Sequence, residues 1–183
     1  MAIGSARVLD EYLVASARAG DRRAFELLAR HWHKRLVAHA WRLTGDEEIA
    51  REAAQEGWIE IVRGLAGLRD ERAFPAWAYR IVSRRCAGQI RRIQARRALD
   101  AAIAAEPVET AANAETVGGV ELERLRAAVR ALPHGQRAAV ALFHFEEMSV
   151  AETAVALDVP VGTVKTRLMH ARRSLRAMLE GEE

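Results

Sequence analysis

The sequence predicts an all-α protein, and three observations carry that prediction. No segment alternates apolar and polar residues like a strand, whereas apolar residues recur three and four apart along most of the chain. Ala, Leu, Arg and Glu dominate, while aromatic residues make up only 5%. Capping residues and terminal glycines bracket several of the periodic runs. Half of the 183 residues are apolar, enough for one domain or two small helical ones.

The elements follow in order. Residues 9–18 read as a first helix ending at Gly20. Asp21 is placed to cap a second, DRRAFELLARHWHKRLVAHAWRLTG, with Phe25, Leu28, Trp32, Leu36 and His39 or Ala40 on one face and a close near Gly45. DEEIAREAAQEGWIEIVRGL opens on acids suited to a helix N-terminus and runs to about Gly64, with Ile49, Ala53, Ile59 and Val62 as its expected backing. A loop over 65–74 precedes the helix AWAYRIVSRRCAGQIRRIQARR. Residues 98–120 contain Pro107 and the pair Gly118-Gly119 without a long periodic face, and read as a flexible linker.

Beyond it, helices are expected at 120–131, 134–145 and 149–157. SVAETAVAL sets Ser149 and Glu152 at capping-box spacing and offers Ala151, Ala154, Val155 and Leu157 for packing. Pro160 then pre-sets the backbone for a last helix, whose Val164, Leu168, Ala171, Leu175 and Met178 form one apolar stripe.

The formal charge of +3 hides an asymmetry. Residues 1–97 carry 19 basic and 12 acidic side chains, residues 98–120 four acids and no base, and residues 121–183 nine of each. Two segments are basic and free of acids: 79–97, with seven arginines, and 159–179. Two such surfaces joined by an acidic connector suit a single polyanion. Short helix, proline turn and longer basic helix make a helix-turn-helix, whose second helix enters the DNA major groove by its N-terminal half. Lys165, Thr166 and His170 are placed towards base edges; Arg172, Arg173 and Arg176 suit phosphates. A solvated basic face is the plainer alternative, but it leaves the cap, short helix and turn unexplained.

Other chemistries find little support. Cys86 stands alone, so no internal disulfide is possible, and it reads as a small apolar residue. His31 and His33 lie two apart on a helix and point in different directions, so metal binding is not expected. No nucleotide-binding glycine loop or nucleophile elbow occurs, and neither an enzymatic role nor a cofactor is expected. No apolar run reaches membrane-spanning length and the N-terminus lacks a signal-peptide pattern, so the expected location is the cytoplasm.

SVAETAVALDVPVGTVKTRLMHARRSLR closely resembles the DNA-reading segment of bacterial extracytoplasmic-function (ECF) sigma factors of the sigma-70 family, and VRALPHGQRAAVALFHFEEMSVAETA resembles its lead-in. ARAGDRRAFELLARHW, DEEIAREAAQEGWIEIVRGL and FPAWAYRIVSRRCAGQIRR are similar to that family's opening helices, core-polymerase-binding helix and minus-ten helix. The resemblance implies a non-enzymatic subunit of two helical domains, a region 2 helical bundle and a region 4 helix-turn-helix, joined by a flexible linker. Residues 1–97 would be region 2, 98–120 a linker running through the polymerase, and 121–183 region 4. It implies core RNA polymerase (its β′ clamp helices and β flap), promoter DNA and an anti-sigma factor as partners.

Residue by residue, the resemblance puts Gln55 and Glu56, with Arg51, Glu52 and Glu60, on the polymerase. It puts Arg69, Asp70 and Arg72 of the 65–74 loop, with Trp77, Arg80, Arg84, Arg85, Arg91 and Arg92, on the minus-ten element. Phe74 and Tyr79 are further aromatic candidates there, although Phe74 and Trp77 more often belong to the core. The minus-thirty-five set is Thr163, Lys165, Thr166, Arg167, His170, Arg172, Arg173 and Arg176.

The chain departs from the family's pattern, which commonly has Arg-Asn at Ser83-Arg84 and Asp at Gly88. A helical Gly costs about 1 kcal/mol relative to Ala. Glu146-Glu147-Met148 also differs from the usual turn, with an effect expected on packing rather than on readout. Two rival classes stay open at this point: a stand-alone helix-turn-helix regulator, which leaves the Gln55-Glu56 helix unused, and a helical adaptor that no longer binds promoters.

Overall fold

The computed structural model describes residues 2–103 and 120–180, and every regular element in them is helical. The eight α-helices are α1 (Ala2–Arg18), α2 (Arg22–Thr44), α3 (Glu47–Gly64), α4 (Phe74–Ile103), α5 (Val120–Ala131), α6 (His134–Val140), α7 (Val150–Leu157) and α8 (Val161–Glu180). Three-residue 3₁₀ turns, Leu65–Gly67 and Glu71–Ala73, occupy the predicted loop. α4 continues past Arg97 to Ile103, because the alanine-rich start of the expected linker propagates a helix. Residues 104–119, the rest of that linker, lie outside the described residues, as does the tail 181–183.

Local caps set several of the boundaries. Asp21 Oδ1 accepts from the backbone N–H groups of Arg23 (2.8 Å) and Ala24 (3.2 Å), and Asp46 Oδ1 from that of Ile49 at 2.9 Å. Gly45 closes α2 at φ +72°, where any side chain would be strained. Ser149 and Glu152 form the reciprocal capping box that their spacing predicts. The helix predicted over 134–145 instead ends at Val140 and widens into a π-helical turn, Ala141–Phe145. Glu147 follows with φ +53°.

α2 is the central helix. Its buried residues are Ala24, Leu28, Trp32, Leu36, His39, Ala40 and Leu43, with Phe25 only partly covered. Trp32 is fully enclosed, edge-on to Phe74 (5.2 Å) and Tyr79 (5.5 Å), and its indole N–H donates to Asp10 Oδ1 at 3.0 Å.

α3 corrects the predicted backing. Its buried stripe is Ala50, Ala53, Ala54, Gly57 and Ile61, whereas Ile59 and Val62 are exposed. The reason is close approach: a Cβ on Gly57 would come within 2.8 Å of Val82 Cγ2 on α4. Gly57 therefore lets α4 approach closely, and the stripe is built mostly from small residues with Ile61 as its one large member, while Ile59 and Val62 are turned outwards. α7 shifts in the same way, burying Thr153, Ala154 and Ala156 and leaving Ala151 and Val155 exposed.

One apolar core runs through both halves of the chain. Leu13, Leu28, Trp32, Phe74, Tyr79 and Val82 belong to it, and so do Ala138, Leu142, Met148 and Ala156. α7 lies along α4. A smaller cluster, Leu132, Val140 and Ala171, with Leu168 and Leu175 beside it, packs α8 onto α5 and α6. Of the predicted α8 stripe, Val164 and Ala171 are buried and Met178 is exposed.

His39, at the centre of this packing, has its Nε2 2.9 Å from Ser83 Oγ. Burial, with the neighbouring Arg42 and His134, holds its pKa down to about 3. The unfolded histidine takes a proton near pH 6.5 and the folded one does not. Its stabilising contribution is thus complete above that pH and is lost as pH falls towards the folded value. Acidification from pH 7 to 5 is expected to cost about 2 kcal/mol through this group. Urea titrations at the two pH values test this, and His39→Gln should flatten the dependence.

Candidate functional site

Three helical surfaces and one junction carry the candidate residues. On α3, Arg51, Glu52 and Gln55 are exposed and Glu56 and Glu60 half-exposed. Arg51 pairs with Glu47 one turn earlier. Beside them, exposed Ile59 and Val62 and the T-shaped pair Phe25–Trp58 (6.1 Å) make the face partly apolar. Such a mixture of apolar and charged groups suits protein docking.

On α4 the arginines divide by direction. Arg84 and Arg85 turn towards α3: Glu60 accepts from Arg84 through Oε1 and from Arg85 through Oε2 at 2.8 Å, while Arg85 Nη1 lies 3.5 Å from Glu56 Oε2. Burial alone would raise the Glu60 pKa, but the hydrogen bonds from Arg84 and Arg85 outweigh it and hold the carboxyl below its usual value. Arg80 turns the other way and meets Asp158 at 2.8 Å. Arg91 and Arg92 are exposed further along. Ser83 is buried against His39, so the position where the family commonly has arginine points into the bundle here. Phe74 and Tyr79 are fully buried, which removes both as surface platforms. Trp77 is half-exposed and packs against Phe74 and Gly64.

The loop before α4 holds Arg69 and Arg72 exposed, while Asp70 Oδ1 accepts from the Arg72 backbone N–H at 3.0 Å. Arg72 Nε lies 3.7 Å from Glu11 of α1.

On α8, Lys165, Thr166, His170, Arg172, Arg173 and Arg176 are all exposed along one side. Thr163 is half-exposed, and the Thr166 hydroxyl donates to the Gly162 carbonyl at 3.0 Å. Arg167 is half-buried, its guanidinium lying over Gly135 of α6. Arg176 Nε is 3.6 Å from Glu180. The turn before α8 is held by Asp158 at φ +54° and by Pro160, whose carbonyl accepts from Thr163 and Val164.

The junction is the part that sequence reasoning missed. Glu146, whose side chain is only 6% exposed, accepts from Arg42 Nη1 at 2.7 Å and from the Tyr79 hydroxyl, and Arg35 Nη2 lies 3.6 Å away. Arg42 also stacks over Phe145 at 4.7 Å, and Arg35 over Trp32 at 4.3 Å. Arg7 and Glu152 approach to 3.5 Å. Acids near α7 thus meet arginines of the N-terminal half at Glu146, Glu152 and Asp158. The only signal in the sequence was the unusual Glu146-Glu147-Met148 turn.

Residues 28–97 match the family described as Sigma-70 region 2, and residues 122–175 match Sigma-70, region 4. The chain is 35% identical over 170 residues to the ECF RNA polymerase sigma factor SigM of Mycobacterium tuberculosis, covering 93% of this chain and 84% of that one. This chain belongs to the ECF sigma factors. Among solved structures, the sigma factor is similar to CnrH in complex with the cytosolic domain of CnrY (TM-score 0.71, 23% identity, 96% of this chain and 99% of that one). It is also similar to the sigma factor RpoE in complex with the anti-sigma factor NepR from Bartonella quintana (TM-score 0.70, 21% identity, 87% and 98%). Both likenesses speak to the fold. Among the described residues of this sigma factor no helix is long and apolar enough to cross a membrane, and no cluster of three or more metal-ligating side chains occurs.

Proposed function

We propose that this sigma factor, which binds core RNA polymerase and directs promoter-specific initiation, divides that work among α3, α4 and α8. Residues 1–97 act as the unit that docks on polymerase and engages the minus-ten element, 98–120 as the connector, and 121–183 as the reader of the minus-thirty-five element. Arg51, Glu52, Gln55, Glu56 and Glu60 meet the β′ clamp helices, with Ile59 and Val62 adding apolar area. Arg69, Asp70, Arg72, Trp77 and the α4 arginines 80, 84, 85, 91 and 92 face the melted strand. Thr163, Lys165, Thr166, Arg167, His170, Arg172, Arg173 and Arg176 serve the upstream duplex. The subunit itself catalyses nothing, works in the cytoplasm and is held in check by an anti-sigma factor.

The observation that carries this reading is the one-signed exposed face of α8, set behind a capped short helix and a proline turn. Duplex phosphates need such exposed basic side chains, and base edges need side chains free of the core.

Transcription in vitro with purified core polymerase tests the reading. Promoter-specific initiation is expected; duplex binding without initiation would indicate a stand-alone regulator instead. Replacing Gln55 and Glu56 by alanine should weaken core binding by roughly tenfold. Lys165→Ala should cost about 1–3 kcal/mol at the upstream element and leave core binding intact. The reverse pattern in pull-down and gel-shift assays would overturn the assignment of surfaces.

A further inference from the structure

We infer that Glu60 is a positioning residue that competes with promoter phosphates for Arg84 and Arg85 of the minus-ten helix. Three features of the α3–α4 contact carry this inference. First, a single carboxylate is shared: one Glu60 oxygen accepts from Arg84, the other from Arg85, and Glu56 approaches the same Arg85. A carboxylate between two guanidinium forks occupies the place that a phosphodiester takes between two arginines. Second, the contact lies at the surface, with side-chain exposures of 60% for Arg84, 40% for Arg85 and 29% for Glu60. Pairs this exposed are worth about 0–1 kcal/mol each, so a strand in the groove can exchange for the carboxylate at little cost. Third, Glu56 and Glu60 belong to the helix assigned to polymerase docking. The anion that holds the DNA-facing arginines therefore sits at the edge of the protein–protein surface.

The consequence is electrostatic. When a DNA phosphate takes Arg84 and Arg85, Glu60 loses both guanidinium partners and must recruit another cation in their place. That uptake offsets part of the counterion release driving DNA binding. Glu60 therefore lowers both the affinity for DNA and its dependence on salt, and so suppresses binding to DNA that offers charge alone.

The inference rests on α4 being the minus-ten helix. Its test uses the full chain with saturating core polymerase and a labelled single-stranded DNA of mixed sequence, titrated across a range of salt concentrations. Glu60→Gln keeps the shape and removes the charge. It should tighten binding at low salt by roughly three- to tenfold and steepen the slope of log K against log salt by about 0.7 for each arginine released. Glu60→Asp, which restores the charge, should return the slope towards that of the parent chain. In the double variant Arg84→Gln/Arg85→Gln, Glu60→Gln should change nothing further.

An unchanged or shallower slope in Glu60→Gln, with Arg84→Gln/Arg85→Gln still weakening binding, overturns the competition while α4 remains the DNA face. If the double arginine variant binds as tightly as the parent, these arginines meet no DNA, and the assignment falls together with the inference.

Discussion

Glu146→Ala is expected to destabilise the folded chain by about 3 kcal/mol and to loosen the contact between its two halves. The carboxylate is nearly enclosed and accepts from Arg42 and Tyr79 with Arg35 close by, so removing it strands two partly covered guanidinium groups and a buried hydroxyl. Breaking one side of a buried charged pair costs more than the pair contributes, because the partner left behind is neither solvated nor neutralised. Burial and the adjacent carboxylate push the Tyr79 hydroxyl far above its usual pKa, so it remains a donor at any working pH. Glu146→Gln keeps the shape and one acceptor oxygen but turns the other into a donor NH2. It loses the charge and one of the two hydrogen bonds, and should cost less than the alanine change. Urea denaturation gives the energy and small-angle scattering the change in dimensions. A midpoint within error of the parent, together with unchanged dimensions, would mean that Glu146 does not hold the halves together.

Trp32→Ala should be more damaging still, at about 4 kcal/mol, equivalent to a fall in melting temperature of roughly 10 °C for a chain of this size. Trp32 is fully buried between Phe74 and Tyr79, so truncation opens a cavity at the meeting point of α1, α2 and α4. It also leaves Asp10, only 5% exposed, without its indole donor. Trp32→Phe separates the two effects: the volume is largely kept and the hydrogen bond lost, for about 1–3 kcal/mol. Differential scanning calorimetry of the pair resolves them. Equal losses in the two variants would place the whole cost on the hydrogen bond rather than on packing.

Much of the fold could be read from short stretches. Asp21 and the Ser149–Glu152 box act within three residues of their own position, so their spacing alone predicts the helix starts that the structure has. The α2 face was legible because Leu28, Trp32 and Leu36 are large and strictly periodic. The expected backing of α3 holds at Ala53 and fails at Ile59 and Val62, which lie outside, since the interface is built from alanines, a glycine and Ile61. Size misleads wherever two helices approach closely. The exposed basic side of α8 was visible as a run without acids, whereas the half-buried seat of Arg167 on α6 was not.

The sequence by itself determined the helical class, the caps and the two one-signed basic helices, because each depends on residues within a turn or two of one another. Only the tertiary structure decided which anions those arginines meet: Glu60 for Arg84 and Arg85, Asp158 for Arg80, and Glu146 for Arg35 and Arg42. These partners are 24 to 111 positions apart in the chain. A carboxylate and a guanidinium interact strongly only within a few ångströms. Whether they come that close is set by how helices cross, and the crossing depends on packing along their whole length.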